Sequence, residues 1–274
     1  MKRLILFSTF LIILPGLHAQ DKITTIAAKS NVIHKQPCIA RSSHQQILPN
    51  EIEEIETYFT RLRPKESFKY KVRPDCVSIF LMTNGKAFIQ QGATAFNATG
   101  LNLFVPSRNE AMIVADKEGL SMLEIVVRLT SEEMKTFEKQ TQVLPYFVDY
   151  TKCRQYREAI KSEKTISRMI LPENIVPRFC MGSVQTTGID EVGEHKHPIL
   201  EQLFYGLSGN DCVVSADSVK TDFRENELLH IPLGSKHGVK VEQGKILNYI
   251  WMDHFRSADD MRYIKDNHIM KDEK

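Results

Sequence analysis

Three histidines in the C-terminal half of the chain have the types and spacing of a metal site. His195 and His197 are separated by one residue in the run Gly-Glu-His-Lys-His-Pro at 193–198, and His237 follows a Pro-Leu-Gly turn at 232–234. Side chains at i and i+2 of a β-strand point to the same face, so the first two imidazoles are expected to converge. Neutral imidazole is a common ligand for divalent first-row ions. The pattern predicts one divalent ion, and the ligand types leave zinc, nickel, manganese and iron open.

The two histidine motifs together resemble the paired motifs of the cupin superfamily, in which a small β-barrel holds a metal ion in its mouth. The resemblance is carried by the His-x-His-Pro run at 195–198 and by the Pro-x-Gly turn before His237, in this order and spacing. Members of that family commonly add a Glu shortly after the second His and a Gly at a set distance beyond it. The resemblance therefore implies a β-barrel and a fourth ligand close to residue 201.

Two neighbouring side chains compete for this fourth position. Glu201 has the usual ligand chemistry of the family, but it lies one residue too far from Gly209, whereas Gln202 fits both spacings. We favour Gln202 and keep Glu201 open. Three imidazoles and an amide oxygen carry no negative charge, so the ion would keep its full charge and polarise a bound oxygen more strongly.

The longer run at 195–202, His-Lys-His-Pro-Ile-Leu-Glu-Gln, resembles the cupins that convert unsaturated uronates in pectin and alginate breakdown. Those proteins bind their metal through three His and one Gln and open the ring form of the sugar acid to a linear ketone. The resemblance covers 193–253, and the chain departs from it by placing Tyr249 near the acidic position of that family. The ligands that it implies are His195, His197, Gln202 and His237.

Three further residues are candidates for proton transfer: Tyr249, Asp253 and Glu201. Tyr249, Trp251 and Asp253 alternate along the predicted final strand and therefore share one face. If this face looks into the barrel, Tyr249 or Asp253 could move protons, and Trp251 could either stack on a sugar or aromatic ring or fill the core. Glu201, if it is not a ligand, is a nearby acid.

An internal repeat predicts two barrels in tandem. Three segments recur in the same order and with the same apolar alternation, namely 77–85 with 201–209, 100–106 with 226–232, and 122–127 with 246–251. In the first copy, Ser78 stands in the place of Gln202 and Ala111 close to that of His237, so the N-terminal barrel is expected to be metal-free. The predicted fold class is all-β, with two tandem cupin jelly-roll barrels and short helices at the N-terminus and between the barrels.

The segments around the barrels complete the predicted organisation. Helical spacing of apolar residues predicts an amphipathic helix over 50–63 and a second helix beginning at Ser131. The charged segment 149–164, which links the barrels, is also expected to be helical. The predicted order is a signal peptide (1–19), an N-terminal extension with a short helix (20–65), a degenerate barrel (66–130), a helical linker (131–172), a metal-binding barrel (173–256) and a C-terminal tail (257–274).

The N-terminus predicts export. A charged start, an apolar run over 4–17 and the small residue Ala19 are typical of a secretory signal peptide, and the run is too short to span a bilayer. A secreted or periplasmic protein is therefore expected. The net charge of +2 does not favour nucleic acid as a partner, and no membrane contact is expected after signal cleavage. The expected partner is a small-molecule substrate, and the N-terminal barrel could support a homodimer.

The cysteines leave two alternatives. The chain has five, which cannot all pair with one another, and their spacing matches no zinc motif. Cys180 and Cys212 fall in the same predicted barrel, where they could form a disulfide in an oxidising compartment or remain buried thiols.

Three functions follow as hypotheses. The first is an exported metal-dependent lyase, isomerase or hydrolase that acts on a small polar substrate, a sugar acid being one candidate. The second is a metal-dependent dioxygenase of the two-barrel type. The third is an exported binding protein without enzymatic activity.

Overall fold

The computed structural model describes residues 24–27, 43–158, 160–217 and 219–261. The predicted signal peptide lies outside the described residues, as does the C-terminal tail beyond 261. The described chain is built mainly of β-strands, with one α-helix, α1 (Ser131–Glu138), and two single-turn 3-10 helices. The all-β prediction is therefore confirmed.

The N-terminal half forms one strongly curved sheet of antiparallel strands. The strands are β2 (Ser43–Ile47), β3 (Ile55–Leu62), β4 (Ser67–Tyr70), β5 (Cys76–Gln91), β6 (Thr94–Thr99), β7 (Asn102–Val105), β8 (Ala111–Arg128) and β9 (Tyr146–Asp149). Their order in the sheet is β2-β3-β8-β5-β7-β9, with β4 paired to β8 and β6 paired to β5.

The C-terminal half forms two facing sheets. The strands are β1 (Thr24–Ala27), β10 (Gln155–Tyr156), β11 (Ile166–Val176), β12 (Phe179–Thr187), β13 (Asp190–His195), β14 (Leu200–Gly206), β15 (Asp211–Ala216), β16 (Val219–Arg224), β17 (Glu227–Ile231), β18 (His237–Val241) and β19 (Ile246–Phe255). The larger sheet has the order β1-β17-β14-β19-β12-β11-β10 and the smaller sheet the order β13-β18-β15-β16.

The predicted repeat is visible in the strand pairing. Strand β14 lies between β17 and β19, and β5 lies between β7 and β8 in the same way. The predicted match of 122–127 with 246–251 relates the correct strands, β8 and β19, but in the wrong register. Phe80 lies opposite Glu124 and its counterpart Phe204 lies opposite Trp251, so Glu124 corresponds to Trp251 rather than to Asn248.

The core has three parts, because the central strands are buried on both faces. On β14, Leu203 and Tyr205 belong to a core shared with the N-terminal half, whereas Phe204 belongs to the interior of the C-terminal barrel. On β5, Leu81 joins the shared core and Phe80 the interior of the N-terminal barrel. One face of each barrel therefore packs against the other barrel, and the opposite face lines that barrel's own interior.

The helix predicted for 50–63 is wrong. Residues 55–62 form strand β3, which pairs with β2 on one side and β8 on the other. Its side chains alternate in burial, with Ile55 and Phe59 in the shared core. The β-branched and aromatic residues of this segment favour a strand, and the two neighbouring strands satisfy its backbone groups.

The prediction for the inter-barrel segment holds only in part. Helix α1 begins where predicted, and the Thr130 hydroxyl and the Glu133 carboxylate cap it reciprocally. The charged helix predicted for 149–164 is wrong, since this segment contains a 3-10 turn at Tyr150–Lys152 followed by strand β10. Strand β10 pairs with β11 and so continues the large sheet of the C-terminal barrel.

The four cysteines in the described part of the chain, among them Cys180 and Cys212, are free and buried. Cys180 lies on β12 of the large sheet and Cys212 on β15 of the small one. Burial is the main cause that raises the pKa of the Cys212 thiol to about 12. Cys38 lies outside the described residues. Of the helices in the described residues, none is long and apolar enough to span a bilayer.

Candidate metal centre

The three predicted histidines lie together at one end of the small sheet. His195 ends β13 and lies directly opposite His237, the first residue of β18, and His197 follows just beyond the strand. Their candidate ligand atoms all lie within 4.8 Å of one another. An irregular register between Val192 and His195 marks a bulge at this point, and such bulges redirect the side chains that follow them.

Backbone carbonyl groups orient two of the imidazoles. Nδ1 of His195 lies 2.7 Å from the Gly193 carbonyl oxygen, and Nδ1 of His237 lies 3.0 Å from that of Ser235. A carbonyl oxygen only accepts hydrogen bonds, so each Nδ1 carries the proton and each Nε2 retains its lone pair. Nε2 of His237 is buried and has no hydrogen-bond partner among the described residues. The tautomer of His237 therefore leaves a buried lone pair on Nε2 that can bind a cation.

Gln202 lines the same cavity as the three histidines. Its Nε2 donates a hydrogen bond of 2.7 Å to Oδ1 of Asp253, the residue directly opposite on β19. This bond leaves the amide oxygen Oε1, which is buried and has no hydrogen-bond partner among the described residues. A buried acceptor left unsatisfied costs about 1–3 kcal/mol, and a cation held by this oxygen would remove that cost. Asp253 therefore orients Gln202.

Burial keeps the imidazole of His237 neutral. It is the main cause that lowers the pKa of His237 to about 4, with a smaller contribution from His195 nearby. The imidazole is thus unprotonated at neutral pH and can donate its lone pair.

The four side chains lie in the wall of a cavity of about 460 Å³ inside the C-terminal barrel. Much of the remaining wall is apolar, and among its residues are Met169, Val184, Phe204, Val239 and Trp251. This volume falls in the usual range for small-molecule sites, which combine an apolar lining with a few polar groups.

Tyr249 and Trp251 both face this cavity. Tyr249 is buried beside Phe204, with ring centroids 4.8 Å apart, and burial raises the pKa of its hydroxyl well above the usual range. It therefore stays protonated and is able to donate a hydrogen bond. Trp251 lies opposite Gly182 on β12, where the missing side chain leaves room for the indole.

The structure does not bring Glu201 to this group. Its neighbour Gln202 points into the barrel, so alternation directs Glu201 to the face that packs against the N-terminal barrel. There its carboxylate lies 2.9 Å from Nε2 of His230, whose Nδ1 lies 3.0 Å from Glu51. Glu201 is not among the residues that line the cavity.

Sequence reasoning missed a group of polar side chains in the cavity wall. Tyr156, Glu158 and Lys161 come from the segment between the barrels, which was expected to be a linker helix. Nothing in their spacing relates them to the histidines, because strand pairing across the barrel brings them there.

Comparisons with known proteins give no match in sequence. No protein-family model matches the chain, and no curated protein matches it.

Solved structures do match it. A putative glyoxylate-induced protein from Pseudomonas aeruginosa has a TM-score of 0.66 at 9% identity, covering 87% of this chain and 93% of that one. A cupin 2 conserved barrel domain protein from Leptotrichia buccalis has a TM-score of 0.58 at 13% identity, covering 85% and 96%. A point mutant of Bacillus subtilis oxalate decarboxylase has a TM-score of 0.60 at 12% identity, covering 80% and 74%.

The chain has the cupin fold. At these identities the likeness concerns the fold, and the chemistry must be argued from the site.

In the N-terminal barrel, a tyrosine and an alanine occupy the positions that correspond to His195 and His237. Tyr70 lies opposite Ala111 where His195 lies opposite His237 in the other barrel. Tyr70 and Ala111 are both buried in the interior of the barrel. Among the described residues, His195, His197 and His237 form the only group of three or more side chains suited to hold a metal.

Proposed function

We propose that this protein is an exported, metal-dependent cupin enzyme that acts on a small polar substrate, a sugar acid being one candidate, by lyase, isomerase or hydrolase chemistry. The observation that carries the proposal is a pair of buried atoms in the cavity wall, Gln202 Oε1 and His237 Nε2, for which the described part of the chain offers no hydrogen-bond partner. Together with His195 and His197 they offer four neutral donors in the wall of a substrate-sized cavity.

The donor set fits a divalent first-row ion. Imidazole and amide oxygen suit zinc, nickel, manganese and iron, and the choice among them depends on geometry and availability. When bound, such an ion supplies Lewis-acid polarisation of a hydroxyl, carbonyl or carboxylate oxygen.

The protein's own groups prepare the cavity for this chemistry. Asp253 fixes the Gln202 amide, and the protonated Tyr249 hydroxyl can donate a hydrogen bond to oxygen that gains charge. Trp251 offers an aromatic face on the same side of the strand, on which a sugar ring could stack. Asp253 is also the carboxylate of this face that could accept a proton.

Oxygen-dependent chemistry is a second candidate. Bacillus subtilis oxalate decarboxylase, a structural neighbour, has Mn(II) centres. A redox-active ion in the present site would favour a dioxygenase reaction, whereas zinc would exclude it.

The first test is the metal content of the mature protein purified without chelator, measured beside three variants. We expect one ion per chain in the wild type, loss of the ion in His237→Ala, and full content in Glu201→Gln. His44→Ala is the matched control, because His44 lies on β2 of the metal-free barrel. Absence of metal from the wild type would overturn the proposal in favour of a binding protein.

The second test is turnover by the metal-loaded protein. A 4,5-unsaturated uronate loses its conjugated double bond when it is converted to the linear ketone, so the loss of ultraviolet absorbance reports the reaction. Oxygen consumption measured on the same panel of sugar acids would indicate the dioxygenase instead. Binding of these acids without turnover by a protein with full metal content would refute the enzyme proposal.

A further inference from the structure

The cavity wall holds an ion pair that the metal site does not use. Nζ of Lys161 lies 2.8 Å from Oε1 of Glu158, and the two side chains are only 7% and 5% exposed. Both residues line the cavity and come from the segment between the barrels, whereas the predicted ligands come from strands and loops of the C-terminal barrel itself.

The stability of the folded protein does not explain why this ion pair is buried. Taking two charges out of water costs several kcal/mol for each ion, and apolar residues of similar volume are often as stabilising as a buried ion pair. Apolar neighbours such as Met169 and Val192 already form part of this wall. A role in recognition explains why charged groups stand here.

The hydrogen bonds that Lys161 makes within the described part of the chain leave one donor for a ligand. An ammonium group has three N–H donors. In the described residues Nζ has two hydrogen-bond partners, the Glu158 carboxylate at 2.8 Å and Oγ of Ser167 at 3.2 Å. The ring of Tyr156 lies beside it, with its centroid 5.9 Å from Nζ.

The segment that carries the pair is fixed to the barrel. The Asp190 carboxylate accepts hydrogen bonds from the hydroxyl groups of Ser162, Thr165 and Thr186, at 2.7, 3.1 and 2.8 Å. An isolated bridge joins Lys161 to Val192 on β13. Lys161 is therefore held in place before any ligand enters, which reduces the entropic cost of binding.

We infer that Lys161 and Glu158 form a second recognition position for the substrate, one that accepts an uncharged hydroxyl or carbonyl group. Glu158 already balances the charge of Lys161, so the position offers a strong donor without a net charge to neutralise. A substrate would then have an oxygen ligand for the metal at one end, a body against Trp251 and the apolar wall, and a hydroxyl or carbonyl at the other. This inference rests on the proposed metal site and narrows the substrate class to molecules with two separated polar ends.

Linear hydroxamates can test this inference on the metal-loaded protein. The hydroxamate binds the ion, and a series of increasing chain length carries a hydroxyl, a methyl or a carboxylate group at the far end. Affinity is measured by calorimetry, with and without prior removal of the metal by chelator. At the best chain length we expect the hydroxyl end to bind about tenfold more tightly than the methyl end, because a methyl group cannot accept the hydrogen bond that the Lys161 ammonium group donates.

Two variants locate the effect. In the double variant Glu158→Leu/Lys161→Met, which leaves no unpaired charge, we expect the preference for the hydroxyl end to vanish and the affinity of the methyl-ended probe to be kept. Lys164→Met is the matched control, because Lys164 is an exposed lysine of the same segment, and it should keep the preference.

The outcomes separate the two proposals. Equal binding of the hydroxyl and methyl ends by the wild type, or a preference that survives in the double variant, overturns the role of Lys161 and leaves the metal site standing. Tighter binding of the carboxylate end than of the hydroxyl end also overturns it, because Lys161 would then recognise charge. If no probe binds and the protein holds no metal, both proposals fail.

Discussion

Substituting Gly182→Ala should displace Trp251 and so deform the cavity. A Cβ atom at position 182 would lie 2.6 Å from Cε2 of the indole and 2.6 Å from the backbone carbonyl oxygen of Arg168. Real Cβ contacts are longer than this, so both neighbours would have to move. The indole can shift only at the expense of the cavity, while the carbonyl belongs to the paired strand β11 and cannot rotate away.

The size of the effect follows from these contacts. Overpacking a well-packed interior costs about 1–3 kcal/mol, and the backbone contact places this substitution near 3 kcal/mol. For a chain of this length such a loss lowers Tm by roughly 6–12 °C. The chain has a single Trp, so its fluorescence reports the environment of this one indole.

The assay is thermal unfolding followed by calorimetry, together with the emission spectrum of the native protein. Gly193→Ala is the control, because a Cβ there has only one neighbour within 4 Å, the Ile160 carbonyl oxygen at 3.8 Å. We expect a lower Tm and an altered Trp emission for Gly182→Ala alone. A variant with the Tm and emission of the wild type would show that the indole does not pack against position 182.

Two further predictions concern the metal site and its surroundings. Asp253→Leu should weaken metal affinity about 10–100-fold, because the Gln202 amide loses the partner that orients it. Asp253→Asn can still accept that hydrogen bond and should keep most of the affinity. Equal metal affinities of the two variants in a competition titration against a chelator would contradict this. The free energy of unfolding of the metal-free protein should decrease as the pH is lowered from 6.5 to about 4, since burial lowers the pKa of His237 and of His254 to about 4 and the unfolded chain takes up protons that the folded one does not. His254→Gln should reduce that slope in denaturant titrations at several pH values, and an unchanged slope would refute the assignment to His254.

The convergence of the three histidines was the part of the candidate site most open to prediction. The His-x-His spacing predicted that His195 and His197 would lie close together, although only His195 belongs to strand β13 and His197 follows it. The internal repeat predicted the two barrels. Which of Glu201 and Gln202 faces the cavity depends on the phase of strand β14, and the pairing of β14 with β19 sets Gln202 opposite Asp253. Gln202 as the fourth ligand stays a prediction. Spacing favoured Gln202, but it could not place Glu201 beside His230 at the contact between the barrels.

The segment 50–63 shows why the secondary structure was harder to predict. Its apolar residues fit a helix of period 3.6 as well as an alternating strand over part of its length. The segment forms a strand because β2 and β8 pair with it on its two sides and accept and donate its backbone hydrogen bonds. Those neighbours lie close in space and, in the case of β8, far along the chain.

By itself, the sequence determined the all-β class, the two tandem barrels and the three histidines, because strand period, repeat order and ligand spacing are local properties of the chain. Only the tertiary structure decided that Asp253 orients Gln202, that Gly182 makes room for Trp251, and that Lys161 and Glu158 reach the cavity. These are contacts between residues of different strands and segments, and burial gives them their chemistry. The spacing of residues along the chain predicts neither the distance between two such groups nor their burial.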